Sequence, residues 1–483
     1  GTLLHWPSWY PQAGSDPVLA ATLTVEAPAS FPVRYRAQHL DVEPDEREEG
    51  GRRRYHWAAS FLARDDEPLG PGRWDRAPAV HFATDRFEVD GHAGSLRSWE
   101  EFGAWYRDLS AGRDGLPEAA RAEVAELVAG VTDPRERVRR LYGHLQATTR
   151  YVSVQLGLGG WVPFDAAYVY ERRYGDCKAL TNYLRALLRE AGIEAYPALI
   201  AADRPDLDPE FVSNRFNHVI LFVPLGEEEP VWLEATSQTR PFGQLGPGTE
   251  GRHALVVTPQ GGRLLRTPTR PAAANAQFRT AAVTLHADGR AEADATTRFT
   301  GHQLAQRRGG FVRASPDERA DWLRREIDLP GLTLHGAAFE GLDAADTTLA
   351  VSARFTAERF GTALGRRLLL TPNLMERWSG APPASPGRTQ PVEAFEYPFL
   401  DVDTVRYTLP RGYVVEALSQ PEVLETDFAR YEATLTEADG TLVYVRRIEI
   451  VEPRLPAARY DDFRSFTEAV ARADAQQVVL VRE

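Results

Sequence analysis

Apolar positions along the chain follow two periods, and the switches between them mark its parts. Up to about residue 95 they alternate, or run in short blocks between Pro, Gly and Asp, so that Val18–Val25, Val33–Leu40 and Arg53–Phe61 read as strands. The segment begins abruptly in this pattern, as though its first strands lay upstream. From Ser98 the period becomes helical. Phe102, Trp105, Tyr106 and Leu109 fall on one stripe, and Ser98 with Glu101 has the spacing of a capping box. Residues 116–131 continue the helical pattern. Residues 132–149 form another helix, with Pro134 in its first turn and Val138, Leu141, Tyr142 and Leu145 on its apolar face. His144 lies opposite that face, toward solvent.

A Gly-rich, loop-like passage leads to a helix beginning near Cys177. Its apolar side is Leu180, Leu184, Leu187 and Leu188, and Gly192 stops it. Short strands follow at 194–201, 217–225 and 230–237, the last two flanking "GEEE" as a hairpin. The Pro- and Ala-rich stretch 266–277 reads as a linker. Beyond it strands return, with Asp288-Gly289 at a hairpin turn. A capped helix spans 315–327, a second linker 382–391, and the strand-rich tail holds one amphipathic helix from Tyr460. The pattern predicts an α+β chain of four parts: a β-rich domain over 1–95, a mixed core over 96–268, a β-rich domain with one helix over 278–390, and a C-terminal β-rich domain over 391–483.

Composition narrows the function classes. Apolar residues make up 43% of 483, enough for sizeable cores, and no apolar run is long enough for a membrane-spanning helix. A formal charge of −13 with both signs interspersed disfavours a nucleic-acid partner. One cysteine excludes a disulfide within the chain. No metal or cofactor motif is present, and "HADGRAEAD" is better explained as a hairpin than as a calcium loop.

The single cysteine, Cys177, and the single lysine, Lys178, are neighbours; every other basic residue except histidine is an arginine. Asp176 is a good N-cap, which places Cys177 at the first helical position. There the free N–H groups and the helix dipole favour an anion such as a thiolate. A nucleophilic thiol needs a base and an orienting group for that base. Of eleven histidines, His218 stands apart because it opens an apolar strand directly after the cysteine helix. Across the next turn Glu234 is the candidate third member. If His218 and Glu234 are direct cross-strand partners, the turn centres on Gly226, and a slip of one residue would put the carboxylate on the opposite face.

The stretch "YGDCKALTNYLRALLREAGIEAY", with "FNHVILFV" and "VWLEATSQ" after it, resembles the bacterial transglutaminase-like superfamily over about Val131 to Val257. The resemblance implies a papain-like core of helices and antiparallel sheet between β-sandwich-like domains. It implies Cys177 as nucleophile, His218 as base and acid, and Glu234 as orienting acid, where the family usually has Asp. The oxyanion hole would include the Cys177 backbone N–H, with Gln155 as the candidate second donor; an ordinary loop amide is the alternative for Gln155. Trp161 is either a wall of the cleft or a core residue. The implied activity is acyl transfer or hydrolysis on an amide, a Gln side chain or a peptide bond, through a thioester, with amine or water as acceptor and no cofactor. The alternative is a non-catalytic binding or scaffold protein that keeps this fold, with protein partners on its β domains. The resemblance and the sparing use of cysteine suggest a bacterial periplasmic or secreted location, with the cytoplasm still open.

Overall fold

The structure is a computed structural model that describes residues 4, 6–12, 14–63, 67–154, 160–343, 346–438 and 440–483. By contacts the chain divides into two units, Gly1–Asp66 with Pro71–Thr269, and Glu67–Gly70 with Arg270–Glu483.

The first unit joins two of the expected parts. Near its N-terminus, strand Arg52–Leu62 pairs on one side with Val18–Pro28 and on the other with Asp45–Glu49, while Val33–Gln38 pairs with Ala79–Thr84. These strands close on a small aromatic core in which Trp57 is fully buried, edge-on to Phe82 at 5.3 Å and to Tyr35 at 5.2 Å.

The rest of the unit is a five-stranded antiparallel sheet in the order Glu228–Leu233, His218–Leu225, Tyr196–Ile200, His253–Thr258, Gly261–Arg266. The helical periods of the sequence are realised beside it. Helices Glu118–Leu127, Pro134–Thr148 and Cys177–Glu190 bury Leu141, Leu145, Leu180 and Leu184 in one core with Leu221, Val223 and Leu233 of the sheet. Helix Trp99–Leu109 is capped by Ser98, whose hydroxyl accepts the Glu101 amide at 3.1 Å. This helix lies so close to strand Gly261–Arg266 that a Cβ on Gly103 would sit 2.2 Å from the Gly262 Cα. Glycine is therefore required at 103 by approach and not by backbone angle. The seven-residue helix Ala166–Arg172 was not expected. It is too short to show a period, and it falls in the stretch read as loop.

The second unit corrects the expected boundary between 278–390 and 391–483. Its main sheet has eight strands in the order Leu332–Glu340, Leu349–Ala357, Ala291–Phe299, Ala276–Leu285, Phe399–Thr408, Thr441–Ile450, Ala429–Ala438, Glu422–Glu425. Ala276–Leu285 and Phe399–Thr408 are parallel neighbours in its middle, from Ala276 beside Leu400 to Thr284 beside Thr408. Both supposed domains thus share one sheet and one core, with Phe299, Phe355, Tyr407, Tyr431 and Val470 in the same cluster. The Pro-rich stretch 382–391 is irregular, as read, but it lies inside this unit and does not divide it. The other linker, 266–277, does contain the division between the units.

Gly103→Ala should be costly although alanine is the better helix former. The added methyl meets backbone that cannot rotate away, and overpacking of this kind costs about 1–3 kcal/mol. A lower thermal midpoint than wild type is expected; an unchanged or higher midpoint would show that the helix can shift.

Candidate active site

Local rules set the cysteine. Asp176 keeps an extended backbone (φ −83°, ψ −175°) and its carboxylate accepts the Ala179 amide at 3.0 Å, so the helix begins at Cys177. The sulfur is thereby held at a helix N-terminus, where the first-turn N–H groups have no intrahelical partner. His218 opens the second strand of the sheet opposite Ile200. Glu234 follows directly on Leu233, the last residue of the edge strand.

These three side chains meet. His218 Nε2 lies 2.8 Å from Glu234 Oε2, and the Cys177 sulfur is near enough to the same ring to favour its charged form. With Nε2 on the carboxylate, Nδ1 is the ring nitrogen left for the sulfur. Burial alone would lower the pKa of His218. The Glu234 carboxylate and then the sulfur outweigh it, and the imidazolium is pushed up to about 10. Burial likewise works against ionised Glu234, but His218 and the Thr236 donors more than offset it and hold the carboxyl below its ordinary range. Tyr106, fully buried beside the site, has its hydroxyl pushed up first by burial and then by Cys177 and Asp176.

The hairpin register differs from the direct pairing expected for His218 and Glu234. Leu221 pairs with Leu233, Phe222 with Trp232 and Val223 with Val231, with a shift near the turn at Gly226-Glu227. Continued outward, this register puts residue 236 opposite His218, and Glu234 is its diagonal neighbour on the same face. Diagonal Cβ atoms are separated by about 7–8 Å or somewhat less, a gap that long side chains can cross. Glutamate in place of the family's usual aspartate supplies the extra methylene for that reach. Thr236 holds it there, donating from its amide at 3.1 Å and its hydroxyl at 2.6 Å to Glu234 Oε1. Tyr142 donates to the Glu234 backbone carbonyl at 3.1 Å. Thr236 was not singled out in the sequence, and Tyr142 was named only for its place on an apolar helix face. The signal for Thr236 was a hydroxyl two residues after an acid, the spacing of a local side-chain turn.

Lys178 does not reach toward the sulfur. It pairs with Asp176 Oδ2, and the two side chains are 4% and 3% exposed. The N-cap carboxylate is thus neutralised within the first turn instead of facing the thiol as a bare negative charge. Cys177 itself is 4% exposed, packed with Phe102, Trp105 and Tyr106 and with the partly buried Trp161 and Phe216. Trp161 meets Trp105 edge-on at 5.5 Å and Phe102 at 6.0 Å, so it belongs to the aromatic layer around the cysteine. His144, expected in solvent, is largely enclosed and lies 3.5 Å from Glu123. Gln155 lies outside the described residues. Among the described residues no His, Cys, Asp and Glu group is arranged to hold a metal ion, and no helix is long and apolar enough to cross a membrane.

Residues 121–232 match the transglutaminase-like superfamily. The chain therefore carries a transglutaminase-like superfamily domain. Residues 366–480 match a domain of unknown function with a solved structure, DUF3858. Among solved structures, a protein from Parabacteroides distasonis, provisionally named a protease, superposes with a TM-score of 0.61 at 14% identity, over 99% of this chain and 75% of that one. That likeness supports the fold. A protein from Cytophaga hutchinsonii, provisionally named a cysteine protease, is 12% identical over 49% of this chain and 69% of its own, with a TM-score of 0.22, too low to bear on the argument. No curated protein matches the chain. Glu234 lies two residues past the end of the superfamily match, so its place rests on the geometry.

Lys178→Met should leave Asp176 buried without a cation and destabilise the protein by about 3–5 kcal/mol. Lys178→Arg should not restore the loss, because the larger guanidinium has to enter a closed site. Adding Asp176→Asn to Lys178→Met, which keeps a capping side chain without the charge, should recover most of it. Chemical denaturation of the three variants reads these differences, and a Lys178→Met protein as stable as wild type would refute the role given to the pair.

Proposed function

We propose that the protein is a cysteine-dependent acyl transferase or hydrolase acting on amides of protein or peptide substrates. The observation that carries this is the 2.8 Å contact of His218 Nε2 with Glu234 Oε2, with the Cys177 sulfur near enough to favour the charged ring. In this reading Cys177 gives its proton to His218 and attacks the carbonyl carbon of a Gln side chain or peptide bond. The C–N bond then breaks, and the leaving amine takes the proton from His218. A thioester remains on Cys177. An incoming amine or water, deprotonated by His218, attacks it and releases the thiol. Negative charge on the carbonyl oxygen would be met by the Cys177 backbone N–H, with Gln155 retained as the candidate second donor. Glu234 orients the ring throughout and stabilises it whenever it carries the proton. The match of residues 121–232 to the transglutaminase-like superfamily supports the class of chemistry.

One observation favours the other reading, a binding or scaffold protein: Cys177 is only 4% exposed. Reaction therefore requires the aromatic layer of Trp161 and Phe216 to give way to substrate.

The two readings part on the reactivity of the one cysteine. Iodoacetamide should label Cys177 at about pH 6.5 as well as in alkali, and His218→Ala should confine labelling to alkaline pH. Glu234→Asp, though it restores the family's usual residue, should slow labelling and any release of ammonia or cleaved peptide by about tenfold or more, since loss of about 1 Å of reach misplaces the ring. Labelling that is slow at every pH and indifferent to His218 would leave the scaffold reading.

A further inference from the structure

The second unit buries ionised groups in its core, and most are matched. Arg279 Nη1 meets Asp403 Oδ1 at 2.8 Å, and Arg446 Nε meets Asp474 Oδ1 at 2.7 Å, with the Tyr431 hydroxyl on the same oxygen at 2.8 Å. At one end this network borders a cavity of about 300 Å³ lined by Gln303, Arg307, Glu376, Phe395, Tyr397 and Asp401, among others. The matching fails here. Asp401 Oδ1 accepts the Gln303 amide at 2.6 Å, and among the described residues no arginine is paired with it. Glu376 Oε2 accepts the Gln277 amide at 2.7 Å and lies 3.8 Å from Arg279, whose closer partner is Asp403.

Gln277 is a second, independent sign of a missing donor. It sits beside Asp401 on the neighbouring strand and is fully buried, and its Oε1 has no partner among the described residues. Arg307 lines the cavity and helps to lower the Glu376 pKa, but its nearest contacts are elsewhere: its guanidinium lies over the Phe299 ring at 4.1 Å and 3.9 Å from Glu326. When Asp401 is ionised, the acids Glu326, Glu376, Asp401, Asp403 and Asp474 face the cations Arg279, Arg307, Arg377 and Arg446, one cation too few. Glu396, also in the lining, is exposed to solvent.

We propose that this cavity binds the cationic head of an amine or guanidine, seated between the Asp401 and Glu376 carboxylates with its stem along the rings of Phe395 and Tyr397. Carboxylates partly withdrawn from water favour a cation, and aromatic faces add to that at close range. The site is separate from the Cys177 chemistry and does not depend on it. Burial and the neighbouring Glu376 carboxylate push the Asp401 carboxyl up to about 8. A cation binds only the ionised form, so affinity should rise with pH up to about 8 and level off above it.

Methylguanidinium is the probe, since it stays charged throughout this range. Calorimetric titration of the full chain should show saturable binding whose Kd falls about tenfold per pH unit between about pH 6 and 8 and is flat above. Asp401→Asn, nearly the same shape, should bind at least about tenfold more weakly at pH 9, with no pH dependence. If that variant does not fold, Ala394→Leu, which fills the cavity, is read instead and should abolish binding. Agmatine and a peptide with an interior arginine then distinguish a small-molecule ligand from a protein side chain; binding of either supports the site. Absence of saturable methylguanidinium binding at pH 9, or binding that the variant leaves unchanged, overturns the proposal.

Discussion

The hydrogen bond between His218 Nε2 and Glu234 Oε2 joins two strands along a diagonal, and the site is arranged around the reach it demands. A strand register is set by backbone pairing and by which side chains must be buried, so it cannot adjust by a fraction of a residue. Here it leaves the acid two positions short of direct opposition. The mismatch is absorbed by a side chain one methylene longer and by Thr236, which holds the far oxygen of that carboxylate. Glutamate at 234 is thus consistent with this register.

The same logic of buried charge runs through both units. Asp176 is needed as a cap, because without it the helix would not begin at Cys177; once buried, it needs a cation. In a chain otherwise supplied with arginine, a lysine turns back within the first turn and fills that need in a space 4% exposed. The second unit places matched arginine–aspartate pairs inside its core, and the mismatch that remains lies against a cavity. In each place, whether a carboxylate has its own cation separates a structural group from one open to a ligand.

Much of the site was legible in the sequence because its signals are local. An N-cap before Cys177, a histidine opening an apolar strand and an acid after the next turn each announce themselves within a few residues. What escaped depends on distant partners. The strand offset depends on how the whole hairpin sits on the sheet, and the Lys178–Asp176 pairing on a side chain turning back instead of outward. The parallel pairing of Ala276–Leu285 with Phe399–Thr408 joins segments more than a hundred residues apart, so a proline-rich stretch between them was taken for a boundary. Helix Gly301–Phe311 went unread because its glycines are poor helix formers and it gains its stability from packing.

The account stands on a charged His218 held by Glu234, and ring-nitrogen NMR reads that charge directly. With His218 assigned by comparison with His218→Gln, its resonances should stay those of an imidazolium through pH 8 and change only toward about 10. In Glu234→Gln the transition should move down toward the ordinary histidine value of about 6.5. A wild-type ring that is already neutral at pH 8, or one whose titration the Gln variant leaves in place, would contradict it.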